Sequence, residues 1–463
     1  MFQRTEQQNP SQIAVIDDSG NTLTYYELTQ LADELARHLT SGTIIFIFCE
    51  NSIGTLIGYL ACLRKGAVPL MLDSQLDLQR ISTLTECYYP AFFWQPIEIT
   101  EKKIQHQTYG YQLILSTSKP AMVHPDLALL MTTSGSTGSA KMVRLSRQNL
   151  QSNAESIRQY LGITVNERPL IHLPMHYVFG LSVVNSHLLA GATLVMTRFR
   201  MMQREFWQHI QETEVTSLSG VPYTFEMLHR LRFSNMYLPA LRTLTQAGGK
   251  LSTKLHHFFA DYARQHNKQF IVMYGAAEAT SRMAWLPPEM ACEKCGSIGK
   301  SIPGGELILM DDQGQEVTDV GIQGELVYKG SNVMMGYAMS AADLLRGDDL
   351  GGVLHTGDIA TRDSQGYFTV VGRKKRFLKI FGNRIGLDEM ELLLKNQFSD
   401  QDIACTGRDD HLTIFLTTLA LKDEIKRYAA KITQLHPSAF SVIILDSIPL
   451  TASGKINYER LDY

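Results

Sequence analysis

The sequence predicts an α/β fold. A large N-terminal domain holds two α/β subdomains and a small antiparallel β-barrel, and a compact α+β domain follows at the C-terminus. Three observations predict it. Short apolar runs alternate with amphipathic stretches through the first three-quarters of the chain. Strand pairs with Gly-containing turns follow from about Glu306, and a fresh α/β alternation begins near Lys374. At 463 residues the chain also exceeds the usual reach of one hydrophobic core.

The elements read in order. "TIIFIFC" (43–49) is a buried strand, "NSIGTLIGYLACLRKG" a helix and "AVPLML" the next strand, which together make a βαβ unit. "SRQNLQSNAESIRQYL" is helical, with Ser146 as N-cap. "LIHL", "ATLVMT", "VTSLSG", "LRTLTQ" and "FIVMYG" are strands separated by helical runs. "ELILMDDQGQEV", "GELVYKG" and "RDSQGYFTVVG" carry the strand-and-turn texture of the barrel. The last section alternates again: helix "IGLDEMELLLKNQF", strand "LTIFLTT", helix "KDEIKRYAAKITQL", strand "SVIIL". The domain boundary falls in the basic run "GRKKRFLK", which gives domains 1–373 and 374–463.

Composition excludes several classes. Hydrophobic residues make up 44% and charged residues 19%, a globular balance. The net charge of −3 and the lack of a strong basic run give no footing to a nucleic-acid partner. No apolar run approaches membrane-spanning length, and the polar start "MFQRTEQQNP" is not a secretory signal. Six cysteines in so long a chain make no disulfide framework, so a cytoplasmic, reduced protein is expected. Cys292 and Cys295 form one C-x-x-C without the two further ligands that a structural zinc site needs.

The stretch "TTSGSTGSAKMV" (132–143) concentrates hydroxyls, glycines and a lysine after the strand-like "LALLM". The loop of kinases and ATPases, G-x-x-x-x-G-K-[ST], does not fit. Counted from Gly135, its sixth position is Ala140 and its eighth Met142, which removes the hydroxyl that holds magnesium in that design. What remains is an anion nest of backbone amides with the hydroxyls of Thr133, Ser134, Ser136, Thr137 and Ser139, plus Lys141. A flexible Ser/Gly linker is the competing reading of this stretch alone.

Six segments in fixed order resemble the adenylate-forming superfamily of acyl-CoA synthetases, carrier-protein-charging adenylation enzymes and luciferases. They are the loop above, "YGAAEAT" (274–280), "GELVYKG" (324–330), "HTGDIA" (355–360), "GRKKRFLKIFGNRIGLDEME" (372–391) and "PLTASGKI" (449–456). The resemblance covers roughly residues 10–460. It implies that a carboxylate attacks the α-phosphate of ATP, giving acyl-AMP and pyrophosphate. A thiol of coenzyme A or of a phosphopantetheinylated carrier protein then takes the acyl group. Because negative charge gathers on phosphate, cations and N–H donors must surround it.

By the same resemblance, Thr133, Ser134, Gly135, Ser136, Thr137 and Gly138 grip the β- and γ-phosphates beside Lys141, and Glu278 holds Mg2+. Gly248, Tyr274 and Gly275 belong to the nucleotide site. Asp358 takes the ribose hydroxyls with help from Arg373, and Lys455 bridges the carboxylate and the α-phosphate. Tyr177, Val178, Gly249 and Ala276 line the acid pocket. The C-terminal domain becomes a mobile lid that delivers Lys455 first and Gly382, beside the pantetheine arm, second. Arg376 stands at the hinge as a charged, solvent-seeking residue.

Departures from the family pattern at five positions bear on function. Ala140 and Met142 flank Lys141 in place of proline and glycine. Ala277 stands where a threonine hydroxyl usually faces the phosphates, and Tyr177 replaces a histidine. Val178 occupies the place of the aspartate that binds an α-amino group in peptide-synthetase domains, so a carboxylic acid without an α-amine is expected. An amino-acid-adenylating ligase and a weakly active or non-catalytic relative remain as rivals; the latter gains from Ala276 and Ala277.

Overall fold

The computed structural model describes residues 10–97, 103–117, 119–132, 141–374, 376–380, 383–398, 401–408, 410–433, 435–451 and 455–461. The chain forms two compact units. One comprises Met1–Glu306 with Tyr328–Leu354, the other Leu307–Val327 with His355–Tyr463.

The first unit is built on three sheets. An eight-stranded sheet runs in the order Gly336–Ala338, Met142–Ser146, Leu127–Thr132, Val68–Asp73, Ile44–Cys49, Phe92–Pro96, Tyr111–Leu115 and Ile104–Thr108. At its centre Ile44–Cys49 and Val68–Asp73 pair in parallel, with the helix Ile53–Lys65 as crossover. All six residues of Ile44–Cys49 are buried, as an uninterrupted apolar strand requires. Each fully buried large side chain there contributes about 1.5–3 kcal/mol. Ser146 caps the helix Arg147–Tyr160 reciprocally: its hydroxyl accepts from the Asn149 N–H at 3.0 Å, and Asn149 Oδ1 accepts from the Ser146 N–H at 2.8 Å. That box fixes where the strand Met142–Ser146 ends and the chain turns away.

A second, five-stranded sheet positions the site. Ser217–Gly220, Thr243–Gln246 and Gln269–Tyr274 are parallel and in close register, with Gly220 beside Gln246 and Gln246 beside Val272. The segments "VPYTF", "QAGG" and "YGAAE" therefore leave the same, carboxyl edge of one sheet, where ligands of open α/β sheets bind. A four-stranded sheet, in the order Leu170–Ile171, Leu194–Met196, Ile13–Ile16 and Thr22–Thr24, completes the unit.

The second unit carries most of the strands expected to form the barrel. Gly305–Met310, Gly324–Gly330, Val353–Arg362 and Phe368–Arg373 hydrogen-bond as one four-stranded sheet. Beyond it come the hairpin Phe377–Ile380/Asn383–Gly386 and a three-stranded sheet of Ile403–Arg408, His411–Leu416 and Phe440–Ile444. The helices Leu387–Gln397 and Lys422–Thr433 pack on a core that includes Leu394, Ile414, Ile425 and Phe440. No helix among the described residues is long and apolar enough to cross a membrane.

Candidate active site

The hydroxyl-rich segment, Thr133, Ser134, Gly135, Ser136, Thr137 and Gly138, lies outside the described residues, as does Gly382. Lys141 is described, immediately before the strand Met142–Ser146. That strand pairs antiparallel with Gly336–Ala338, Met142 opposite Ala338 and Val143 opposite Tyr337. Lys141 thereby becomes a diagonal neighbour of Tyr337 on one face of the sheet. Its Nζ sits 3.6 Å from the centre of the Tyr337 ring.

The Tyr337 hydroxyl donates to Glu278 Oε1 at 2.8 Å. Burial, followed by the Glu278 charge and this hydrogen bond, pushes the phenol well above its ordinary range, so it remains a donor. Glu278 Oε2 accepts no hydrogen bond among the described residues and the side chain is half-buried. An ammonium, a phenol and a carboxylate are thus joined in one array.

The loop that carries Glu278 is held by its neighbours. The short 3-10 turn Ala277–Ala279 is followed by Thr280 and Ser281, both at positive φ, 59° and 135°. Two such non-glycine residues in succession are strained and need outside support. Asn332 supplies part of it, donating to the Ala279 carbonyl at 2.8 Å and to the Arg282 carbonyl at 2.9 Å. The Thr280 hydroxyl donates to the Asn332 carbonyl, and the Met334 N–H to the Glu278 carbonyl. Gly275 permits the loop to close, because a Cβ there would come within 1.5 Å of the Ser281 carbonyl oxygen.

The pocket residues also converge. Tyr177 and Val178 stand at the start of the helix Val178–Ala190, whose first turn has no acidic residue. The Tyr177 hydroxyl faces Gly248: a Cβ at Gly248 would meet it at 2.6 Å, and φ there is +83°. Gly249 packs on Pro222 in the same way, at 3.1 Å. The Tyr177 and Phe179 rings meet edge-on with centroids 6.2 Å apart. Tyr274, Gly275 and Ala276 follow on directly from the neighbouring strand Gln269–Tyr274.

Asp358 and Arg373 face each other across the strands Val353–Arg362 and Phe368–Arg373, with Arg373 Nε 3.0 Å from Asp358 Oδ1. Asp358 is buried, and its N–H donates to the Thr356 hydroxyl at 3.1 Å. Lys455 is exposed. Its N–H donates to the Thr451 hydroxyl at 3.2 Å, and its carbonyl accepts from the Thr451 N–H at 2.7 Å.

Arg376 differs from the sequence expectation. Instead of facing solvent it pairs with Asp388 and with Glu391, the latter at 3.0 Å, and its guanidinium lies 3.7 Å from the Tyr458 ring centre. Burial works against its charge, but Glu391 and Asp388 outweigh burial and push the guanidinium upward. The carboxylates come from one face of the helix Leu387–Gln397, three residues apart. Sequence reading also missed Tyr337, 59 residues beyond Glu278, and Arg282; neither falls in a segment singled out by composition.

Relatives and solved structures resemble this chain over nearly its whole length. The 2-succinylbenzoate–CoA ligase of Bacillus subtilis is 26% identical, over 98% of this chain and 96% of its own. The oxalate–CoA ligase of Arabidopsis thaliana is 27% identical, over 94% and 92%. Tyrocidine synthase 2 of Brevibacillus parabrevis matches all of this chain at 24% identity but over 14% of its own length. Among solved structures, the Bacillus subtilis O-succinylbenzoate coenzyme A synthetase in complex with AMP superposes with a TM-score of 0.78. It is 25% identical and covers 100% of this chain and 98% of its own. A model of the family described as AMP-binding enzyme matches residues 2–338, and with that span covered this chain belongs to the AMP-binding enzyme family.

Proposed function

We propose that the protein is an AMP-forming acid–thiol ligase. A carboxylate oxygen of the acid substrate bonds to the α-phosphorus of ATP and pyrophosphate leaves. A thiol sulfur then bonds to the acyl carbon and AMP leaves, giving a thioester. The observation that carries this reading is the Lys141–Tyr337–Glu278 array beside the carboxyl edge of the five-stranded sheet.

The array fits Mg2+ and a polyphosphate. One carboxylate with an uncommitted oxygen is the protein's usual share of a magnesium site, the rest coming from phosphate and water. When bound, Mg2+ neutralises charge on the departing pyrophosphate. Tyr337 keeps Glu278 oriented, and Lys141 adds a cation on the same side. The hydroxyls and amides of 133–138 hold the phosphates, Asp358 with Arg373 the ribose, and Lys455 the developing charge at the α-phosphate. The segment 374–463 acts as the lid, with Gly382 on its thiol-facing side. We take coenzyme A as the acceptor, a carrier-protein pantetheine as its competitor, and the cytoplasm as the compartment.

Pyrophosphate release measured against a panel of acids, with coenzyme A or a pantetheinylated carrier added to the positive reactions, tests this reading and identifies the acceptor. Two expected results refine it. Aliphatic, hydroxy or aromatic acids should exceed their α-amino counterparts at least ~10-fold in exchange activity, because Val178 and its helical turn offer an ammonium no partner. An α-amino acid as best substrate by a wide margin would overturn the assignment of Val178.

Ala277→Thr should accelerate adenylation. A hydroxyl bonded to a charged phosphate is worth about 1.5–3 kcal/mol, or roughly ten- to a hundredfold in rate. Ala277 is buried against the core, so Tm is measured alongside. A correctly folded variant that is no faster shows that another hydroxyl or a water already serves the site.

A further inference from the structure

Arg282 is the outstanding unexplained charge of the first unit. Its side chain is 2% exposed. Nη2 donates to the Ser182 hydroxyl at 3.2 Å, and the guanidinium lies 4.0 Å from the Phe179 ring centre. Nε and Nη1 are buried and have no hydrogen-bond partner among the described residues. No carboxylate pairs with it among the described residues; its charge is felt instead by Tyr160 and Tyr177. Burial pushes both of those phenols up, so neither supplies a negative charge. The adjacent helix Val178–Ala190 presents the positive end of its dipole from the same segment.

A ring face and one hydroxyl return far less than burying a guanidinium costs. A methionine or leucine would fill the space without that penalty. Nε and Nη1 lie on different edges of the guanidinium, and each shares its edge with Nη2. With one Nη2 hydrogen on Ser182, the other completes a two-point edge with whichever of Nε or Nη1 adjoins it, and such an edge matches a carboxylate. The location says which anion. The Phe179 ring that lies against Arg282 meets the Tyr177 ring edge-on, Tyr177 presents its hydroxyl to Gly248, and the Arg282 backbone packs against Gly275. Arg282 therefore borders the acid pocket. We infer that Arg282 receives a second carboxylate on the acid substrate, so that the substrate class is the dicarboxylic acids.

This rests on the ligase reading, and the test separates the two. Pyrophosphate release and thioester formation are measured with full-length protein. The acids are a series of α,ω-dicarboxylic acids, from oxalate to adipate, the half-amide of each, and a broad panel of aliphatic, hydroxy and aromatic monoacids. Wild type should favour the best diacid over its half-amide by at least tenfold in kcat/KM, and Arg282→Met should invert that ratio. Arg282→Lys, which keeps the charge but loses the fork, should retain the preference with a raised KM.

In parallel, Tm is followed without ATP. The preferred diacid should raise the wild-type Tm but not that of Arg282→Met, while sodium chloride and inorganic phosphate at equal ionic strength should not reproduce the shift. Should Arg282→Met fail to fold, Arg282→Lys and the wild-type preference decide. Turnover that favours half-amides or other monoacids, or a Tm shift shared by chloride and phosphate, overturns the inference while leaving the ligase intact. Absence of turnover with every acid overturns the ligase reading itself, and this inference with it.

Discussion

Lys455→Ala is expected to lose acid-dependent pyrophosphate release by on the order of 10²- to 10³-fold, the usual consequence of removing a donor aimed at developing charge. It should still convert chemically supplied acyl-adenylate to thioester at close to the wild-type rate. The bonds that shape this turn run from the Lys455 backbone to Thr451, and an isolated bridge joins Leu450 to Ile456. Farther along, the Tyr458 hydroxyl donates to Glu391 at 2.9 Å, and Leu461 is fully buried with Phe415 and Ile448. Alanine keeps all of these, so Tm should hold within the range of ordinary surface substitutions. A lysine needed in one arrangement of the lid serves one half-reaction. Equal loss of both would instead mean that Lys455 stays at the reacting centre throughout. The two activities are read separately, by pyrophosphate release and by thioester formation from the adenylate.

The sequence made the scaffold and the loops legible, because both are local. Apolar period and length marked Ile44–Cys49 and Val68–Asp73 as buried strands, and a serine ahead of a helical run marked the cap at Ser146. The three loops assigned to the acid pocket could be named because each follows a short apolar run. Their meeting at one sheet edge depends on strand order, which periodicity does not encode. What joins Tyr337 to Glu278 is likewise the register of Gly336–Ala338 against Met142–Ser146, a pairing across nearly two hundred residues. Gly275 reads as a glycine of the nucleotide site, yet its close contact is with the Ser281 carbonyl. Arg376 reads as a surface charge because the sequence alone does not show Asp388, Glu391 and Tyr458 folding over it. Arg282 reads as nothing at all, since burial is a property of the fold.

Glu278→Gln carries the other large effect, and the variant isolates charge from shape. Glutamine retains an acceptor oxygen for the Tyr337 hydroxyl, so the turn Ala277–Ala279 and its Asn332 supports should persist and Tm should change little. What disappears is the negative charge that makes the second carboxylate oxygen a ligand for a hard cation. Adenylation should fall on the order of a hundredfold or more at limiting Mg2+, and added Mg2+ should recover part of it, because the lost term is affinity for the ion. Tyr337→Phe offers the internal control. It deprives Glu278 of its orienting donor but leaves the charge, so its loss should be smaller, roughly three- to tenfold, the kinetic equivalent of one net hydrogen bond. Initial rates of pyrophosphate release, taken across a Mg2+ titration at fixed ATP for all three proteins, give the comparison. If wild type and Glu278→Gln share one Mg2+ dependence and differ only in plateau, Glu278 does not hold the metal. The Lys141–Tyr337–Glu278 array would then serve to fix the loop.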